Sequence, residues 1–309
     1  MDKPPFHPYI LLFIGVASIS TAAVFVRLAG DAPASITALY RLLMAVIIMA
    51  PYIGWKYLHE LKKISSKDLI LATSAGIFLA FHFILWFQSL NYTSVASSVV
   101  LVTMQPIFAF IGTYLFFKER FTIGAVLSMI IALTGSVIIS WGDFQISGIA
   151  LLGDFLALAG AAMVTGYFLL GQNLRKRLSL MTYTFLVYSM ASVTLLIYNL
   201  ILQEPFTGYS QQQWLAFLAL AIIPTFFGHS LFNWTLRWVS TSTITMGILI
   251  EPIGASLLAY WILGEGITWF QWLGGSIVIF GLMMFIFSTA KKGKPKLTHA
   301  SNKAHGPPK

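Results

Sequence analysis

Two stretches of this chain decide its fold: SVASSVVLVTMQPIFAFIGTYLFFKE, residues 94–119, and STSTITMGILIEPIGASLLAYWILGE, residues 240–265. Each starts on a serine, runs mainly apolar for a membrane-spanning length and ends on a glutamate. At an offset of 146 (240 − 94 = 146), Ser94 meets Ser240, Pro106 meets Pro252 and Glu119 meets Glu265. Gln105-Pro106-Ile107 falls on Glu251-Pro252-Ile253. The register continues without a gap, to Leu90 with Leu236 on one side and Gly135 with Gly281 on the other. The earlier parts of the two halves match poorly, so the later part of each half carries the internal repeat.

The rest of the chain has the same character. Of 309 residues, 58% are hydrophobic and 9% charged, and the mean hydropathy is +0.81. Soluble domains carry roughly 25% charge, so this composition points into a bilayer. A spanning helix needs roughly 20 mainly apolar residues. Ten such segments are predicted, near 8–29, 34–55, 68–90, 94–117, 121–141, 147–171, 180–202, 212–236, 240–263 and 268–288. Turn residues separate them, as in Gly30-Asp31-Ala32-Pro33 and Asn91-Tyr92-Thr93. The first apolar stretch is long for a cleaved signal peptide and lacks its small-residue cleavage site, so it reads as a retained span.

Ten spans put both termini on one side. With that side cytoplasmic, seventeen of the nineteen lysines and arginines fall in inner segments, and the exceptions are Arg27 and Arg41. This is the positive-inside bias, and it predicts cytoplasmic N and C termini. It also accounts for the net charge of +9 without nucleic acid as a partner. Each half holds five helices, an odd number, so the second copy must cross in the opposite sense. The predicted fold is therefore an all-α integral membrane protein of ten helices, built as two inverted five-helix repeats at 8–141 and 147–288. A basic tail follows at 289–309 and reads as disordered and cytoplasmic. Inverted repeats of this kind are typical of secondary transporters that work by alternating access, with the solute site near the midplane.

The two copies, ending in Phe117-Lys118-Glu119-Arg120 and Leu263-Gly264-Glu265-Gly266, resemble the EamA-type repeats of the drug/metabolite transporter superfamily. Tyr40-Arg41 in the second span resembles that family's pattern as well. The resemblance covers about 8–288. It implies a ten-helix permease of the plasma membrane (the cell's inner membrane) that moves metabolites, amino acids or drugs, commonly outward. The sixth and seventh spans lack an equivalent of Arg41, so the site need not be symmetric.

Polar groups inside spans are costly and mark candidate sites. Glu251 lies eleven residues into its span, roughly 16 Å deep and near the middle of the core. Gln105 lies eleven residues into the matching span from the opposite side, so the repeat brings both to one depth. A carboxyl there can carry a proton, pair with a solute ammonium, or serve as a structural hydrogen-bonding group between helices. Pro106 and Pro252 each free a carbonyl one turn back, at Val102 and Ile248. His82, Trp86 and Ser89 share one stripe, and His229 and Asn233 lie one turn apart. Both sets can line a pore or simply pack between helices. Arg41 can bind a solute carboxylate or pair with Asp31 or Glu265.

Glu119 and Glu265 end their spans just before the next helix begins, and are expected to cap its N-terminus. His82, His229 and Glu251 have the chemistry of zinc ligands, but nothing in their spacing calls for a metal, and no cofactor is expected. Gly124, Ser128, Ala132 and Ser136 form a ladder of small residues that serves close packing, within the chain or in a homodimer. The chain has no cysteine and carries no metalloprotease, phosphate-loop or nucleophile-elbow motif, so no enzyme is expected. The expected partners are a small-molecule solute, the lipid bilayer and, as candidate coupling ions, protons. An uncoupled channel or facilitator is the alternative.

Overall fold

The computed structural model describes residues 4–93, 95–141, 148–264 and 266–290. Among them, ten apolar helices follow one another: α1 Pro8–Leu28, α2 Ala34–Leu61, α3 Ser66–Ser89, α4 Ser97–Phe117, α5 Ile123–Ile139, α6 Gly148–Leu174, α7 Leu180–Leu202, α8 Gln211–Thr235, α9 Thr241–Ile262 and α10 Trp269–Thr289. The shortest, α5, has 17 residues, roughly 25 Å of helix. Hydroxyl N-caps fix several starts. Ser65, Thr122 and Ser179 accept from the backbone N–H three residues on, and Ser210 forms a capping box with Gln213. Each cap satisfies an otherwise orphaned donor at a helix entrance. The ten predicted spans are thus the ten observed helices. The basic tail from 291 onward, Glu265 and Ser94 lie outside the described residues.

Helix pairing follows the inversion. α3 packs on α6, and its repeat counterpart α8 packs on α1. α2 meets α7, α4 meets α9 and α5 meets α10, each helix against its own copy. Glycines permit the close approaches. A Cβ on Gly160 of α6 would lie 3.5 Å from Trp86 of α3, and one on Gly15 of α1 only 2.6 Å from the Phe232 ring of α8. The closest approach of one glycine to another helix's backbone joins α5 and α10. A Cβ on Gly135 would sit 2.7 Å from the Gly274 carbonyl oxygen, and one on Gly274 2.5 Å from that of Gly135. Gly281 meets Ala132 in the same seam, and Thr122 and Ser288 share a hydrogen bond of 2.6 Å at its end. The α5 ladder of small residues is therefore used inside the chain.

Two helices break at matching places. α4 stops at Val102 and resumes at Gln105, while α9 stops at Ile248 and resumes at Glu251. The prolines at 106 and 252 lack the N–H that would continue the ladder. Gln105 answers one freed carbonyl itself, its Nε2 donating to Val102 O at 3.1 Å. α1 is interrupted at Ser20-Thr21 beside the α9 break, where Ser20 Oγ lies 3.4 Å from Glu251 O. α8 widens into π-helical turns over Ala221–His229, around Pro224.

At the end of the bundle rich in lysine and arginine, carboxylates of the first half hold the second. Glu60 accepts from Ser179 N at 2.8 Å and from Thr182 Oγ1 at 2.7 Å. Asp68 accepts from Arg177 Nη2 at 2.6 Å. Glu119 accepts from Ser240 Oγ and Ser242 Oγ, both at 3.0 Å. The sequence puts Glu119 at the helix that follows it. Instead it meets the entrance of α9, because Thr122 already caps α5. Arg175, one of the inner-segment cations, is buried, with Nε donating to Asn233 O at 2.8 Å and Nη1 to Leu178 O.

The α5–α10 seam has no room for a side chain at position 135. Gly135→Val is expected to cost at least the ~1–3 kcal/mol typical of overpacking, seen as a lower Tm in detergent. Gly54→Ala, where a Cβ meets nothing within 4 Å, is the control and should shift Tm little.

Candidate functional site

Six of the polar residues singled out in the sequence come together. Arg41 of α2, His82 and Trp86 of α3, Gln105 of α4, His229 of α8 and Glu251 of α9 line one cavity at the centre of the bundle. Its volume is about 20 Å³, room for a water molecule and little more. Its apolar wall includes Ile19, Phe168 and Phe232.

Arg41 is fully buried. Its Nε donates to Thr225 Oγ1 at 2.8 Å, and its Cζ lies 4.2 Å from the centroid of the Phe83 ring. Thr225 is held for this role by the widened turn of α8, where its hydroxyl donates to Leu220 O at 2.8 Å. Nη1 and Nη2 of Arg41 have no hydrogen-bond partner among the described residues. Of the two structural partners the sequence offers Arg41, Asp31 is engaged elsewhere, accepting from Gln213 Nε2 at 2.8 Å, and Glu265 lies outside the described residues. The guanidinium is instead within electrostatic range of Glu251, Tyr188 and Tyr167.

His82 meets Gly160 O through Nδ1 at 2.9 Å. A carbonyl only accepts, so Nδ1 carries the proton in this geometry and Nε2 is left as an acceptor. The ring stacks on Trp86, with centroids 5.8 Å apart. His229 lies 6.3 Å from His82, centroid to centroid, and stacks on Phe168. His229 Nδ1, Trp86 Nε1 and Gln105 Oε1 are buried without partners. Glu251 sits in the first turn of the half-helix Glu251–Leu258, where the backbone dipole favours negative charge.

Asn233 does not join this group. It lies one turn beyond His229, where its Oδ1 accepts from Tyr167 OH at 2.7 Å. Sequence reasoning missed Thr225, Tyr167 and Tyr188. A proline before Thr225 was a usable signal for a disturbed helix there. The tyrosines gave none, because hydroxyls are common in membrane helices and their partners depend on how the helices cross.

The cavity thus gathers unpaired donors (Arg41 Nη1 and Nη2, Trp86 Nε1) and acceptors (Gln105 Oε1, the Glu251 carboxyl). Buried polar groups are normally satisfied, and each one left unpaired costs about 1–3 kcal/mol. A ligand with an anionic acceptor and a donor would complement the set.

The sequence signature of the EamA-like transporter family matches residues 7–141 and 151–287. The chain is 26% identical over 300 residues to the uncharacterized transporter YdfC of Bacillus subtilis (strain 168), covering 94% of each chain. It is 26% identical over 242 residues to the uncharacterized transporter YxxF of the same organism, covering 78% of this chain and 76% of that one. An uncharacterized transporter of Archaeoglobus fulgidus is 25% identical over 276 residues, covering 88% of this chain and 94% of that one. A crystal structure of another protein superposes with a TM-score of 0.75 at 15% identity, covering 93% of this chain and 99% of that one; at that identity the likeness is one of fold.

Removing the Arg41 charge tests what it does for the bundle. Arg41 Nη1 and Nη2 are buried without partners among the described residues, each at a cost of about 1–3 kcal/mol, and Thr225 keeps its bond to Leu220 O. Arg41→Met is therefore expected to leave Tm in detergent unchanged or raised. A large fall would make Arg41 a residue that holds the helices together.

Proposed function

The chain belongs to the EamA-like transporter family and is a multi-pass membrane transporter; from that premise we propose that it is a secondary active exporter of small amphipathic solutes, working by alternating access. The observation that carries the reading is the convergence of Arg41, Trp86, Gln105, His229 and Glu251 on one small cavity between the two repeats. A solute carboxylate pairs with the unbonded Arg41 nitrogens, and an ammonium or hydroxyl faces Glu251 and Gln105. The His82–Trp86 stack supplies an aromatic surface for the solute's apolar part. Amino acids and related metabolites fit this description, as do amphipathic drugs with an anionic group.

Glu251 is the proposed carrier of a coupling proton, because it is a buried carboxyl at the solute site with Arg41 in electrostatic range. Proton and solute cation then compete for one group, which is a physical basis for exchange. The basic end faces the cytoplasm of a cell whose plasma membrane holds the protein; the distribution of lysine and arginine supports this. With a cavity of about 20 Å³, the state described here is occluded at the centre, and solute enters only when one repeat tilts against the other.

Flux of a metabolite panel into proteoliposomes, with and without an imposed pH gradient, tests the reading. The expected result is accumulation driven by the gradient. Glu251→Gln should insert normally and lose that accumulation, because the amide cannot bind and release a proton as a carboxyl does. Full gradient-driven accumulation in this variant would remove Glu251 from the coupling step. Downhill flux alone in the unaltered protein, insensitive to Glu251, would favour an uncoupled facilitator.

A further inference from the structure

The two ends of the bundle are unequal, although the repeat makes them equivalent. At the end away from the lysines, α1, α2 and α3 surround a polar cavity of about 230 Å³ lined by Arg27, Thr37, Phe87, Leu90 and Asn91. It shares walls with a neighbouring cavity of about 420 Å³ that reaches Asp31 and Glu204. Its floor lies just above the central site, since Thr37 precedes Arg41 by one helical turn and the Arg41 guanidinium lies 6.0 Å from the Phe87 ring centroid.

The repeat offset maps this cavity onto the opposite end. Adding 146 takes Phe87 to Asn233, Leu90 to Leu236 and Asn91 to Arg237; the helix starts Ala34 of α2 and Leu180 of α7 are also 146 residues apart, which sets Thr37 opposite Tyr183. These residues lie between α6, α7 and α8, as their partners lie between α1, α2 and α3. At that end, among the described residues, side chains occupy the matching space. The Tyr183 hydroxyl presses on Gly171, 2.6 Å from where a Cβ would be, and Leu236 closes on the same spot at 2.9 Å. Tyr167 donates to Asn233 Oδ1, and Arg175 Nε donates to Asn233 O. Glu60, Asp68 and Glu119 seal the same end by holding the entrances of α7 and α9 and the turn between α6 and α7.

The packing there leaves polar groups stranded. The Tyr183 hydroxyl and Asn233 Nδ2 are buried without partners, although both residues are fully buried. An apolar pair of the same shape would fill the space without that cost. We propose that Tyr183, Asn233 and Tyr167 line the solute's path at the basic end, shut in this structure, and that their stranded groups contact water or solute when it opens. The inference rests on the transport reading above. It gives the two mouths different chemistry: a phenol and an amide at the basic end, a phenylalanine and a threonine at the other. Release of the Glu60 and Glu119 contacts belongs to the same movement.

The chain has no cysteine, so single thiols report access directly. Asn233→Cys and Thr37→Cys are labelled with a membrane-impermeant methanethiosulfonate in right-side-out and inside-out vesicles. The thiol at 37 is expected to react from one side only, and the thiol at 233 only from the other and more slowly. Adding Glu60→Gln and Glu119→Gln should speed labelling at 233 and slow it at 37. No reaction at 233 from either side in that background, while Lys63→Cys at the exposed surface of the same end reacts, overturns the proposal. This pattern needs no solute, so it decides the path separately from whether the flux panel finds one. Tyr183→Phe covers a thiol variant that fails to fold. It should keep or raise Tm and change the KM or rate of a transported solute about fivefold, the worth of roughly one hydrogen bond. Unchanged flux there makes Tyr183 a packing residue and counts against the path.

Discussion

Hydrocarbon offers no hydrogen bonds, so every backbone group released from a helix at membrane depth must be answered by the protein itself. This constraint explains why the polar residues sit where they do. The breaks in α4 and α9 free backbone groups near the middle of the bundle, and side chains gather there to meet them. Gln105 turns back onto Val102 O. Ser20 reaches across from an interruption in α1 towards Glu251 O. In α8 the widened turn gives Leu220 O to the Thr225 hydroxyl, and the same hydroxyl then receives Arg41. A polar centre is thus built from the same disturbances that the prolines introduce. What remains unpaired after this local repair is available to a ligand.

Symmetry supplies the scaffold and asymmetry supplies the chemistry. The pairing of each helix with its own copy, or with the copy of its neighbour, fixes Gln105 and Glu251 at one depth. The contents of the two halves differ at that depth. One carries an amide and the other a carboxyl, and a guanidinium in α2 has no equivalent in α7. Under the proposed function, this asymmetry is what lets a two-fold architecture take a one-sided solute, its anionic part at Arg41 and its other end at α9.

The ten helices, the inversion and the matched prolines were legible because they are one-dimensional features: a hydropathy run, a parity and an offset. Arg41, His82, Trp86, Gln105, His229 and Glu251 stood out because polar groups are rare in spans. The partners of these residues were not legible. The engagement of Arg41 by Thr225 depends on α2 crossing α8 at a turn widened by Pro224. Asn233 shares a helix face with His229, yet the cavity closes before reaching it because Tyr167 from α6 takes its amide. Glu119 was read against its nearest helix in sequence, while α9 stood nearer in space. Arg175 belongs to an inner segment by charge alone, and only the fold shows that the carbonyls of Asn233 and Leu178 hold it inside.

The glycine seam between α5 and α10 has a consequence for the history of the chain. There the last helix of each repeat lies against the backbone of the other, Gly135 on Gly274 and Ala132 on Gly281. Neither helix can gain bulk at these positions unless the other gives up space. Two halves that began as copies are thereby bound to change together, and one cut free of its twin would expose a bare stripe of main chain to lipid. The duplication is no longer a pair of interchangeable parts; at this seam it has become a single inherited object.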